Sequence, residues 1–190
     1  MKLVIASNNQ HKIQEIKAVL NGKFEEITTL DEENIVCDPE ENGETFLENA
    51  IIKACAVAEH TDKAVLADDT GLCVDALNGR PGVHSARYAS AHDSVANRRK
   101  LLAELEDVTD RSAYFTTVVV LLYPDGTVIT GQGEVHGEII DEERGVNGFG
   151  YDCIFYSDEL KKTFAEATTE EKLSVSHRSR ALKDLLNKLN

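Results

Sequence analysis

The sequence predicts an α/β fold: one domain over residues 1–190 with a central mixed β-sheet flanked by helices. Two observations carry that reading. Short β-branched apolar runs alternate with segments whose apolar residues recur at helical spacing, along the whole chain. No internal repeat, low-complexity tract or interdomain linker divides it.

The elements follow in order. Residues 2–6, "KLVIA", read as a buried strand that opens the fold. "SNNQ" then supplies cap residues for a helix carrying Ile13, Ile16, Val19 and Leu20, stopped near Asn21 and Gly22. "FEEITTL" is a second strand, and the acidic "DEENIVCDPEENGE" is a loop. A helix over residues 45–60 aligns Phe46, Ala50, Ile51, Ala54 and Val57 on one face. "KAVLAD" is a strand that ends on two adjacent carboxylates, Asp68 and Asp69, and "NGRPGVHSARYAS" is a loop. "SVANRRKLLAELED" is an amphipathic helix. "SAYFTTVVVLLY", "PDGT" and "VITGQGEV" give a hairpin. The Gly-rich "GVNGFGYDCIFY" runs into an apolar strand, and "SVSHRSRALKDLLNKL" forms the last helix.

Composition excludes several function classes. Twenty Lys and Arg against 34 Asp and Glu leave a net charge of −14, a poor footprint for nucleic acid. No stretch approaches the roughly 18 apolar residues of a membrane helix, and the apolar run at the N-terminus is too short for a secretory signal, so a cytoplasmic protein is the default expectation. Cys37, Cys55, Cys73 and Cys153 form no C-x-x-C pair and read as reduced, mostly packed thiols. There is no Walker phosphate loop, no G-x-G-x-x-G and no H-E-x-x-H.

Five stretches can carry chemistry. In "SNNQHK" a strand gives way to a helix, leaving backbone N–H groups free for an anion, with Lys12 in the first turn against the helix dipole; an ordinary cap with a solvated lysine has the same residues. In "EENGETFLENAIIKA", Glu41, Glu44, Glu48 and Lys53 are either a charged site or a solvated face. Asp68 and Asp69, followed by Thr70 and Gly71, offer oxygen ligands to Mg²⁺, which takes one or two carboxylates and shares phosphate oxygens with its substrate; a solvated Asx turn is the alternative. In "NGFGYD", Gly148 and Gly150 permit close backbone approach while Phe149 and Tyr151 can stack on a flat ring, or the stretch is a turn into the next strand. In "EEKLSVSHRSR", Lys172, His177, Arg178 and Arg180 gather around a helix start, as an anion site or as surface cations. Together, an acidic pair, three cationic sites, a flat-ring slot and two phosphate-friendly helix starts suit a nucleoside triphosphate with Mg²⁺.

These same stretches resemble a known family. "SNNQHK", "ENA…KA", "ADDTGLCVDALNGRPGVHSARYA", "GFGYDCIF" and "EEK…SHR", in that order and over nearly the whole chain, are similar to the inosine triphosphate pyrophosphatases, or XTP/dITP diphosphatases. The resemblance implies hydrolysis of ITP, dITP and XTP to monophosphate and pyrophosphate with Mg²⁺. It implies an elongated fold of two lobes with the active-site cleft between them, and a homodimer. Carried over by motif, Ser7, Asn8, Asn9, Gln10, His11 and Lys12 bind the triphosphate with Lys53 nearby. Glu41 and Asp69 hold the metal with Asp68 close by, and Asp69 is the catalytic proton acceptor. Thr70, Phe149, Gly150, Tyr151, Asp152, Lys172, His177 and Arg178 contact the substrate, with donors near His177 and Arg178 reading the 6-keto oxygen of the base. Two positions depart from the family pattern without removing a charged group: Asn8 replaces a common Gly, and Cys153 replaces a usual Pro. A pyrimidine-directed pyrophosphatase of the related Maf type is disfavoured by "SHR" beside "GFGYD", and a non-catalytic nucleotide-binding module by the intact Asp pair.

Overall fold

A computed structural model describes residues 1–189. In chain order the elements are β1 (Lys2–Ile5), α1 (Gln10–Leu20), β2 (Glu26–Thr29), α2 (Phe46–Ala58), β3 (Ala64–Val74), α3 (Ser94–Glu104), β4 (Ser112–Leu122), β5 (Val128–Ile139), β6 (Phe155–Ser157), β7 (Lys162–Thr163), α4 (Thr169–Val175) and α5 (His177–Asn187). The seven strands form one sheet in the order β2-β1-β3-β4-β5-β6-β7. β1 runs parallel to β2 and to β3, whereas β6 is antiparallel to both β5 and β7, so the sheet is mixed as expected. The predicted hairpin turn is closed by Tyr123 N–H on the Thr127 carbonyl (2.9 Å), with Gly126 at φ +86°.

The chain forms two compact units. The first holds residues Met1–Asp69, Thr117–Gly133 and the C-terminal stretch from Arg178; the second holds Thr70–Thr116 and Glu134–His177. β3, β4 and β5 each pass from one unit into the other. In the first unit side chains alternate across the sheet. Leu3, Ile5, Ala64 and Leu66 pack on one face with Ile13, Ile16 and Leu20 of α1 and Ala181, Leu182 and Leu185 of α5. Val4, Val65 and Ala67 pack on the other with Ala50, Ala54 and Val57 of α2. The second unit is built around Phe115, Phe155, Phe164 and Tyr151, with Leu101 from α3 and Leu105, which caps that helix.

Four expectations are corrected. The strand entering the Asp pair does not end there: β3 continues to Val74, because Gly71 stays in the strand and Ser85 Oγ accepts the Leu72 N–H (2.9 Å). The expected loop at residues 78–90 contains a 3₁₀ turn, Gly82–Arg87, and another, Asp75–Leu77, precedes it. The last helix is two helices, because Ser176 leaves helical geometry (ψ 148°) while its N–H still caps Lys172. Ile51 is 36% exposed; the fourth buried position of α2 is the polar Asn49, fully buried. Of the cysteines, all free, Cys73 is buried but Cys55 is exposed.

Candidate active site

Alternation along β3 resolves the electrostatic problem of the adjacent carboxylates. Asp68 continues the series Ala64 and Leu66, on the face of α1 and α5; Asp69 continues Val65 and Ala67, on the face of α2. Each therefore makes its direct ion pairs with different cations. The two carboxylates do not form a single acidic patch.

On the first face, Asn9 caps α1 by accepting the N–H groups of His11 (3.0 Å) and Lys12 (3.2 Å), and Ser7 Oγ accepts the N–H of Asn9. The capped turn directs Lys12 Nζ to Asp68 Oδ2 at 3.0 Å. The anion that offsets this lysine's unfavourable place in the dipole is thus Asp68. Arg178, at the start of α5 and 1% exposed, donates from Nε to Asp68 (3.4 Å) and from a terminal nitrogen to Glu15. Burial disfavours the ionised form of Asp68, but Lys12, Arg178 and Lys53 outweigh it and hold the carboxyl far below the usual range. Burial lowers the Lys12 ammonium, against the pull of Asp68. Asn8, Gln10 and His11 lie exposed along this helix start.

On the second face, Lys53 Nζ lies 3.2 Å from Glu41 Oε2 and 3.4 Å from Asp69 Oδ1, bridging the two carboxylates. Asn49 donates to Asp69 Oδ2 at 3.2 Å. Burial raises the Asp69 carboxyl, with Glu41 and Asp68 adding to the rise and Lys53 and Lys12 opposing it. Lys53 is raised: burial works against its charge, but Asp69, Asp68 and Glu41 prevail. Two carboxylate oxygens converging on one cation are a donor set that a hard divalent ion can use. Among the described residues, no three His, Cys, Asp or Glu side chains assemble a metal nest. An ion here needs further oxygens from water or phosphate, as Mg²⁺ characteristically does. Glu48 serves the fold instead, closing the capping box of α2 with Thr45.

The second unit holds the ring-binding candidates. Gly148 (φ +77°) leaves no room for a Cβ, which would meet the Asp152 carboxylate. That carboxylate accepts the Phe149 N–H (2.9 Å) and Lys172 Nζ (2.7 Å), so one buried side chain fixes the loop and the lysine together. Lys172 lies in the last turn of α4, where the helix dipole favours a cation, with Nζ 5.0 Å from the Phe149 ring centre. Arg98 of α3 donates to the Gly150 carbonyl at 2.8 Å. Tyr151 is not a stacking face: it is 6% exposed within the core, and its hydroxyl donates to the Ser85 carbonyl (2.9 Å). Phe149, half-buried, is the ring left for stacking. His177 is buried and stacks on Phe115, centroids 4.8 Å apart. Thr70 is half-buried where β3 enters this unit.

Sequence reasoning missed Glu15, Asn49 and Arg98. Glu15 carried a weak signal, lying three residues after Lys12 on the same helix. Asn49 and Arg98 carried none.

Comparison with known proteins finds relatives that match over nearly the whole chain. The chain is 46% identical to the dITP/XTP pyrophosphatase of Desulforamulus reducens, over 100% of this chain and 96% of that one. It is 45% identical to the dITP/XTP pyrophosphatase of Clostridium perfringens, over 99% and 97%. Among solved structures, the Staphylococcus aureus Ham1 protein superposes with a TM-score of 0.88 at 44% identity, covering 100% of this chain and 98% of that one. A HAM1 protein from Coxiella burnetii gives 0.89 at 42%, with the same coverage. The Ham1 family profile matches residues 3–188, and the chain belongs to the Ham1 family.

Proposed function

We propose that this protein is a Mg²⁺-dependent nucleoside triphosphate pyrophosphatase that hydrolyses ITP, dITP and XTP to the monophosphate and pyrophosphate, clearing non-standard purines from the nucleotide pool. The observation that carries the reading is the bridge from Lys53 to Glu41 and Asp69, beside the capped helix start that presents Lys12. The names of the full-length relatives support the same substrate class.

Glu41 and Asp69 would hold Mg²⁺, which supplies Lewis-acid polarisation of phosphate oxygens and offsets their charge. This chain's own groups do the rest. The His11 and Lys12 N–H groups are taken by the Asn9 cap, so phosphate is bound by side chains at the start of α1, Ser7 among them, with Lys12 and Lys53 stabilising charge on the transferring and leaving oxygens. Asp69 accepts the proton of the water that attacks the α-phosphorus. Lys172 and Asp152 fix the Phe149 loop that receives the base. Discrimination against adenine follows from donors near His177 and Arg178: an amino group facing a donor leaves both unpaired. Asp68 and Arg178 hold Lys12 and the start of α5 in place. The reading includes a homodimer, on the strength of the resemblance, and keeps the cytoplasm as the default location. Among the described residues no helix is long and apolar enough to cross a membrane.

The test is pyrophosphate release from ITP, XTP, ATP, GTP and UTP with and without Mg²⁺. Release confined to ITP and XTP, and dependent on the ion, supports the reading; equal turnover of ATP or UTP overturns it.

A further inference from the structure

We infer that Asn49 is a positioning residue that sets the two carboxylates of the site, Glu41 and Asp69, as one unit. The inference rests on the reading of those carboxylates as metal ligands and goes beyond it to how they are held.

Asn49 is a fully buried polar side chain on a helix face otherwise made of Ala50, Ala54 and Val57. Burying an amide is unfavourable unless both ends find partners. Both do here, and each partner belongs to a different segment. The amide nitrogen donates to Asp69 Oδ2 at 3.2 Å, and the amide oxygen accepts the Gly43 N–H at 2.8 Å. Gly43 lies two residues from Glu41 in the loop before α2. One side chain thus ties the loop that carries Glu41 to the strand that carries Asp69.

Two features make the brace specific. The contact requires a donor and an acceptor on one planar group, which excludes Asp (no donor when ionised) and Leu (neither). The loop also sits tightly on it: a Cβ added at Gly43 would lie 2.7 Å from Asn49 Oδ1 and 2.7 Å from Glu48 Cβ. Gly43 is therefore required for close approach. Lys53 then bridges Glu41 and Asp69 from one turn further along the same helix, so α2 controls both carboxylates through two side chains. Partners that orient metal-binding carboxylates are worth roughly 10–100-fold in metal affinity.

The test uses Mn²⁺ alone, titrated into the full chain and followed by electron paramagnetic resonance, with the melting temperature measured alongside. Asn49→Ala should weaken Mn²⁺ binding about 10-fold. Gly43→Ala, which changes neither carboxylate nor Asn49 itself but forces the loop off the amide, should weaken it in the same direction, and the double variant should lose little more than the worse single. Should Asn49→Ala not fold, Gly43→Ala decides the matter by itself. Variants that melt earlier but bind Mn²⁺ as the native chain does overturn the inference, because Asn49 is then only a structural amide. A native chain that binds no Mn²⁺ overturns instead the metal reading on which the inference stands.

Discussion

Arg178→Met should cost this protein about 3 kcal/mol of folding stability, the lower end of the range for breaking a buried ion pair from one side. Arg178 is 1% exposed, and its guanidinium faces two carboxylates: Asp68, with a side chain 1% exposed, and Glu15, at 11%. Methionine approximates the apolar stem while removing the charge, so packing changes little and the loss is electrostatic. Asp68 retains Lys12 at 3.0 Å, which places the cost at the low end of the range. Glu15 loses a charge-assisted partner in a half-buried place. For a chain of this size, about 3 kcal/mol corresponds to a fall of roughly 6–12 °C in melting temperature. Urea unfolding at pH 7, followed by circular dichroism, measures it. Lys2→Met is the control: it removes an exposed pair with Glu26 at 3.1 Å and should cost no more than about 1 kcal/mol. If Arg178→Met is as mild as Lys2→Met, the ion-paired lattice around Asp68 does not contribute to the fold as argued.

Three further outcomes are expected. Asp69→Asn should lower kcat by at least ~100-fold with the fold retained, as for removal of a general base; near-normal turnover would remove Asp69 from the chemistry. Lys12→Ala should weaken ITP affinity by roughly 1.5–3 kcal/mol, measured with Ca²⁺ in place of Mg²⁺, while Lys23→Ala, on an exposed turn, leaves it unchanged; equal losses would leave Lys12 only as the partner of Asp68, with no role in binding phosphate. His177→Ala, which removes a ring stacked on Phe115, should narrow the ITP-to-ATP ratio of kcat/KM more than it lowers ITP turnover, and a loss shared equally by both nucleotides would place His177 in the core alone.

Elements whose period is set by their own core face were legible in the sequence. β1, α1, α2 and the β4–β5 hairpin fall where alternation and helical spacing put them, and the Asn9 cap of α1 follows from residue type. β3 is longer than its sequence suggests, because polar residues inside an apolar run read as a strand end. What lets the strand continue through Asp68 and Asp69 is supplied from elsewhere: Arg178 stands 110 residues from Asp68, and Asn49 stands 20 from Asp69. The break between α4 and α5 has no Gly or Pro to announce it; Ser176 is a residue that a helix tolerates. In the site, the charged side chains were legible as types, but their pairing was not. Local spacing put Lys12, Asp68 and Arg178 in three separate stretches, and only the sheet brings them to one face. Asn49 was invisible because a buried amide in a helix has no periodic signature.

The most direct test of the central claim is hydrolysis of ITP in oxygen-18 water with Mg²⁺, with products identified by mass spectrometry. Water activated at Asp69 to attack the α-phosphorus predicts IMP and pyrophosphate, with the label in IMP. Release of IDP and orthophosphate, or label appearing in pyrophosphate, would contradict it.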